Sequence, residues 1–207
     1  MQEPVPSATP HIEIGQPRLF TLGAVLIVSA YGVLLAIPFL VSLLAASVLK
    51  LGALTILIPA LGVAWAAVFL PFGLGNPYVS RLVRSVGPAA GEPGENFVVQ
   101  LSLSPRIRSG LCAVLDDADD IGYLTFDGSG FRFRGDSVKL LVPYDCIKEV
   151  RPHNIGMRGL FVYGRRIRVI VAGLPNVSSL EFAERSSWLL PTSRKTTRQL
   201  HRHFTKQ

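Results

Sequence analysis

The sequence predicts a two-helix transmembrane hairpin followed by a mostly-β domain that ends in an α-helix. Between Arg18 and Arg81 the only charged side chain is that of Lys50. An apolar stretch of this length is typical of helices that cross a bilayer. After Phe97 the chain changes to short apolar runs separated by turn residues, which is the pattern of β-strands.

The predicted hairpin occupies residues 18–80, with crossings at about 19–45 and 51–72. As one straight helix, Leu19 to Leu49 would measure about 46 Å, more than the ~30 Å of a hydrocarbon core. We therefore expect a kink or a helix end at or after Pro38. A cleaved signal peptide is a poorer interpretation, because its apolar region has only about 7–15 residues.

Small residues four apart let two membrane helices approach closely. Each predicted crossing has one such pair, and these are the candidate helix-packing residues: Gly32 and Ala36, Gly62 and Ala66. The alternative is that the pairs only reflect the composition of membrane helices. Basic residues flank the two crossings, which predicts an integral plasma (inner) membrane protein with both termini in the cytoplasm.

Two segments outside the hairpin have the composition of irregular structure. Residues 1–17 contain four prolines and are expected to form a flexible leader. Residues 81–96 are expected to link the hairpin to the β domain, because glycine, proline and glutamate recur from 86 to 96.

The β domain is expected to span residues 97–207. Strands are predicted at 97–103, 111–115, 121–126, 131–134, 138–142, 159–163, 166–171 and 180–183. A glycine-containing turn at 127–130 joins two of them as a hairpin. The chain then changes to helical periodicity, with a helix at about 193–205 whose apolar stripe contains Leu200 and Phe204.

Part of this domain resembles a known family. The run from Tyr123 to Val150, YLTFDGSGFRFRGDSVKLLVPYDCIKEV, followed by GLFVYGRRIRVIV, is similar to bacterial PH-like and GRAM-like domains. The similarity covers roughly residues 97–205. The resemblance implies a PH-like roll or barrel with a C-terminal helix. Several such families place this domain after a two-helix membrane hairpin. It implies membrane-associated binding rather than a reaction.

Charge is unevenly distributed along the β domain. Residues 89–150 hold six basic and ten acidic side chains, a net −4, whereas residues 151–207 hold eleven basic and two acidic ones, a net +9. The candidates for contact with anionic lipid head groups or a protein partner are Arg165, Arg166, Arg168, Arg194, Lys195, Arg198, Arg202 and Lys206. A solvated helix face is the alternative. Nucleic acid is a less favoured partner, because the basic helix lacks an aromatic platform or a helix-turn-helix context.

No catalytic, metal-binding or cofactor-binding residue is predicted. The acidic cluster at 116–120 fails the EF-hand pattern, because Ile121 and Gly128 stand where ligands are needed; a solvated loop is expected there. His201 and His203 are two apart, which is the wrong spacing for a zinc pair on a helix. The serines show no nucleophile elbow.

The patterns favour two functions over a third, an enzyme whose site no motif reveals. The first is a non-enzymatic integral membrane protein that presents a cytoplasmic PH-like domain for binding a protein or anionic lipid. The second is a membrane-assembly or transport-accessory component that oligomerises through its hairpins, with the β domain as a coupling element.

Overall fold

A computed structural model describes most of the β domain and parts of the N-terminal third. The described residues are 9–19, 21–34, 37–48, 52–53, 56–57, 59–62, 76–86, 95–110, 118–153, 166–187 and 189–205. The strands are β1 (His11–Ile14), β2 (Glu95–Ser104), β3 (Asp120–Phe126), β4 (Gly130–Gly135), β5 (Val138–Pro143), β6 (Ile147–His153), β7 (Arg166–Val171) and β8 (Ser179–Glu184). The helices are α1 (Leu22–Leu34), α2 (Ile37–Val48), α3 (Asn76–Val86) and α4 (Leu190–Thr205).

The eight strands form one curled antiparallel sheet in the order β1-β5-β4-β3-β2-β8-β7-β6. Strands β2 to β5 pair in chain order, and so do β6 to β8. The pairing of β2 with β8 joins these two meanders. Strand β1 comes from the N-terminal segment and pairs with the outer edge of β5, where Ile12 lies opposite Leu140.

The larger core lies between the sheet and α4. In β4, Phe131 and Phe133 are buried while Arg132 and Arg134 are exposed, as the two-residue period of a strand requires. Phe204 of α4 enters this core, and its ring makes an edge contact with that of Phe131 at a centroid distance of 5.1 Å. The aromatic residues of the sheet therefore fix the position of the helix.

A second, smaller core lies on the other side of β2 and β3. Val79 and Val83 of α3 and Val25 of α1 form a buried cluster with Ile121 of β3. In α3 the valines four residues apart lie on one face, while Arg81 and other polar residues lie on the exposed face. The sheet is therefore covered on both sides.

The predicted transmembrane hairpin is wrong. Among the described residues, no helix combines the length and the apolar character needed to cross a membrane. The apolar run contains α1 and α2, with 13 and 12 residues, which correspond to about 20 Å and 18 Å against a core of about 30 Å. Pro38 is the second residue of α2, and a proline suits this first turn because its missing N–H needs no partner there. The predictions of an integral inner-membrane protein and of cytoplasmic termini fail with the hairpin.

Most of the described side chains of α1 and α2 remain outside the cores. Ala24 and Val25 are buried, whereas the large apolar side chains that are exposed are Leu22, Leu26, Ile27, Ile37, Leu40, Val41, Leu44 and Val48. Of the candidate helix-packing residues, Gly32 lies in α1. At Gly62 an added Cβ would meet no atom within 4 Å, so no described neighbour makes it a packing position. Ala36 and Ala66 lie outside the described residues.

The β domain agrees better with prediction. Six predicted strands are confirmed, those at 97–103, 121–126, 131–134, 138–142, 166–171 and 180–183; the strands predicted at 111–115 and 159–163 lie outside the described residues. Strand β1 lies where a flexible leader was expected, and β6, which contains Pro152, was not predicted. An edge strand tolerates that proline, and β6 is at the end of the sheet. Helix α4 begins at Leu190 rather than near 193, with Pro191 in its first turn.

We expect Phe204→Ala to destabilise the fold by about 3–5 kcal/mol, because it removes a ring that is 1% exposed from a tightly packed core. The midpoint of urea denaturation measures the change. Gln199→Ala is the matched control, since Gln199 is exposed on the same helix. A loss below about 1 kcal/mol for Phe204→Ala would show that α4 is not held as described.

Candidate functional site

Three arginines form a ladder along one side of α4. Arg194, Arg198 and Arg202 are spaced four residues apart and are exposed. Residues at this spacing are neighbours on a helix surface, with Cβ atoms about 6 Å apart. The ladder therefore presents three guanidinium groups in a row, beside the buried stripe that contains Leu200 and Phe204.

The ladder forms one wall of a groove between α4 and the end of the sheet. The groove has a volume of about 290 Å³, and its lining residues come from β6, β7 and α4: Pro152, Arg166, Ile167, Arg194, Thr197, Arg198, His201 and Arg202. Four of these eight residues are arginines, and none is acidic. Because a concave surface of one charge concentrates the electrostatic field, the groove is suited to an anion.

Glu181 of β8 neutralises part of the charge on the sheet side. It lies directly opposite Arg168 in the β7–β8 pairing and accepts hydrogen bonds from Nε and Nη2 of Arg168 at 2.9 and 2.6 Å. Its other oxygen is 3.6 Å from Nη1 of Arg166, which also donates to Oγ of Ser102 at 3.3 Å. One carboxylate thus serves two arginines, and these three side chains together keep a net positive charge.

His153 of β6 completes this cluster. Nη2 of Arg168 lies 2.9 Å from Nε2 of His153. Since a guanidinium can only donate, Nε2 is the accepting nitrogen of the ring. His153 therefore orients Arg168, and its Nε2 atom also lies 3.7 Å from Oε1 of Glu181.

The ladder itself has no such carboxylate. Within the part of the chain that the structure describes, no acidic group forms an ion pair with Arg194, Arg198 or Arg202. The polar contact of Arg198 is with its own helix, from Nε to the carbonyl oxygen of Arg194 at 3.3 Å. Among the described residues, the three charges of the ladder are therefore not neutralised by a carboxylate.

Thr197 lies at the bottom of the groove, on the core side of the ladder. Its side chain lines the groove, and the residue is only 4% exposed. Its Oγ1 atom has no hydrogen-bond partner among the described residues. A buried hydroxyl without a partner is destabilising, and this oxygen is itself inaccessible from the groove.

The structure brings four of the candidate residues together, namely Arg166, Arg194, Arg198 and Arg202. Arg168 is paired with Glu181 beside the groove, and Lys195 is exposed on α4 but does not line it. Arg165 and Lys206 lie outside the described residues.

Sequence reasoning missed Glu181 and Thr197. Glu181 is one of only two acidic residues after Val150, and this rarity was a usable signal for a charge partner of the basic strand. No comparable signal marked Thr197, because its importance depends on how deeply α4 is seated.

The acidic cluster is not a solvated loop at the two positions that the structure describes. Asp119 is completely buried, and its carboxylate accepts backbone N–H groups of Leu103, Ile107 and Arg108 at 2.7, 3.1 and 3.0 Å. These bonds hold the segment that follows β2. Among the described residues, no group of three His, Cys, Asp or Glu side chains could hold a metal ion.

Asp120 organises the turn between β4 and β5 in the same way. Its carboxylate accepts N–H groups of Ser137 and Val138 at 2.9 and 2.6 Å and of Ile121 at 2.9 Å. Burial and, to a smaller extent, the nearby Asp136 raise the pKa of Asp120 to about 6, although these backbone hydrogen bonds oppose the shift. The carboxyl group therefore titrates well above its ordinary range.

Comparisons of this chain with protein-family models, with curated proteins and with solved structures find no match.

We expect Asp120→Asn to remove a pH dependence of stability. The folded chain binds a proton at Asp120 below about pH 6, and the unfolded chain does so below 3.8. The free energy of unfolding of the natural chain should therefore fall, relative to that of the variant, as the pH rises from about 4 to 6. A shift of about two pKa units corresponds to roughly 3 kcal/mol. Urea denaturation at several pH values measures the difference.

Asp127→Asn provides a control of opposite sign. Burial opposes the shift, but hydrogen bonds from Ser129 and Gly130 and the charge of Arg132 lower the pKa of Asp127. The carboxylate of Asp127 therefore adds to the free energy of unfolding at neutral pH, and this addition is lost as the pH falls. Identical pH profiles for the natural chain and Asp120→Asn would contradict the assignment of Asp120.

Proposed function

We propose that this chain is a non-enzymatic binding module that holds an anionic ligand in the groove between α4 and strands β6 and β7. The observation that carries the proposal is the arginine ladder of α4, whose three charges have no acidic partner among the described residues. Arginine suits this task because its planar fork can donate two parallel hydrogen bonds to an oxyanion.

The distribution of charge supports an anion rather than a solvated helix face. A helix face that only keeps a protein soluble needs no concave wall opposite it, whereas here Pro152, Arg166 and Ile167 form such a wall. Arg166 is 6% exposed and adds a fixed charge at the sheet side. Its partial neutralisation by Glu181 leaves the field of the groove positive.

The resemblance of residues 97–205 to bacterial PH-like and GRAM-like domains is consistent with this proposal, because it implies binding rather than a reaction.

The hydrogen bonds of the serines before α4 are also consistent with a non-enzymatic module. The hydroxyl of Ser186 donates to Glu184 at 2.6 Å, and the same carboxylate oxygen accepts the N–H of Ser187 at 2.7 Å. Both contacts stabilise a turn, and neither activates a serine as a nucleophile.

We expect Arg198→Glu in the full-length chain to weaken binding of pyrophosphate at least tenfold. The substitution replaces a central positive charge of the ladder with a negative one, and a charge-assisted hydrogen bond contributes about 1.5–3 kcal/mol. Isothermal titration calorimetry measures the affinity at low and at moderate salt, and higher salt should weaken the binding.

Lys195→Glu is the matched control. It makes the same change of net charge on the same helix, but Lys195 does not line the groove, so the affinity should change less than about threefold. Equal losses for the two variants would indicate a general charge effect and contradict the groove. Absence of pyrophosphate binding by the natural chain would also reject the proposal.

A further inference from the structure

We infer that the groove binds its anion in a pH-dependent manner, and that His201 is the residue that takes up a proton when the anion binds. The affinity for the anion then rises as the pH falls below neutrality. This inference rests on the proposed function, because it concerns the regulation of the same groove.

His201 lies on α4 between the buried stripe and the arginine ladder. Residues three and four apart are neighbours on a helix surface, so His201 is one turn beyond both Arg198 and Thr197. It is half-buried, and it lines the groove together with these two residues. An anion that the ladder holds in the groove therefore lies beside this residue.

The ring nitrogens of His201 are available to a ligand. Within the described part of the chain, no ion pair or hydrogen bond engages the ring, in contrast to the rings of His153 and His203. Neither nitrogen is a buried atom without a partner, whereas Oγ1 of Thr197 is. A protonated imidazole offers two N–H donors and a positive charge, and a neutral one offers a single donor. Protonation therefore makes this side chain a better group for binding an anion.

The charged residues that line the groove with His201 are all cations, namely Arg166 of β7 and Arg194, Arg198 and Arg202 of α4. The residue that β6 contributes to the groove is uncharged. Beside the groove, Glu181 of β8 is shared by Arg166 and Arg168, and His153 of β6 contacts Arg168. A bound anion thus brings a negative charge that no described lining residue supplies, and this charge favours the protonated ring.

The direction of the pH effect follows from linkage between the proton and the anion. Because the anion favours the charged ring, binding is accompanied by uptake of a proton, and the affinity rises as the pH falls. Histidine is the side chain that ordinarily titrates near neutrality, at about pH 6.5. The arginines keep their charge throughout this range, so they contribute no pH dependence of their own.

Titration calorimetry of the full-length chain with pyrophosphate at about pH 8 and at about pH 5.5, at constant ionic strength, tests the inference. His201→Gln and His201→Asn carry no charge at either pH. Since a phosphate group itself takes up a proton at about pH 6, the quantity compared is the ratio of the affinity of the natural chain to that of each variant, from which the titration of the ligand cancels. This ratio should lie within about twofold of one at the higher pH and reach at least about fivefold at the lower pH.

His203→Gln is the matched control. His203 is also half-buried on α4, but it lies about 200° around the helix from His201. Its Nε2 atom is 2.8 Å from Oε2 of Glu95, and it does not line the groove. The affinity ratio for this variant should be the same at both pH values. Thermal transitions at both pH values check that each variant is folded.

Calorimetry in two buffers of different ionisation enthalpy measures the uptake of protons directly. At about pH 6.5 the natural chain should take up more protons on binding than the His201 variants do, by up to about one. Suppose that pyrophosphate binds and Arg198→Glu weakens it, but that the affinity ratio and the proton uptake do not depend on His201. The inference then fails while the proposed function stands. An equal rise of the ratio for His203→Gln also contradicts the role of His201, and absence of pyrophosphate binding at both pH values rejects the proposed function itself.

Discussion

The packing of α4 against the sheet is the interaction on which the groove depends. Leu200 and Phe204 are almost completely buried, and their contacts fix both the depth and the rotation of the helix. Because a helix repeats every 3.6 residues, this rotation places the ladder beside the buried stripe, along the end of β6 and β7. The core and the candidate site are therefore two sides of one helix, and neither can move without the other.

Glu181 imposes the second constraint. Two arginines at the end of the sheet are costly to bury unless a carboxylate shares their environment. The direct opposition of Arg168 and Glu181 in neighbouring strands meets this need through the register of the sheet itself. Glu181 also lies close to Arg166. One carboxylate therefore accompanies two arginines, and the sheet side of the groove stays positive.

The strands of the β domain could be predicted because their side chains alternate and their turns contain glycine or aspartate. The hairpin prediction failed because composition does not determine helix length. The same apolar run contains α1 and α2, and Pro38 lies in the first turn of α2. Strand β1 was missed for a related reason. Residues 11–14 form a strand because they pair with the edge of β5, which is remote in sequence. Helix α3 likewise depends on a distant element, since one of its faces packs on β3.

The positive charge of the candidate site could be predicted from the sequence, but the arrangement of its side chains could not. The basic C-terminal half and the four-residue spacing of the α4 arginines follow from the sequence, and they identified four of the eight residues that line the groove. Net charge, however, does not distinguish one anion from another. That distinction depends on which side chains α4 turns toward the sheet, where Arg194, Arg198 and Arg202 line the same groove as Arg166. The number and direction of these donors, set by the seating of α4, decide the charge and shape that a ligand must offer.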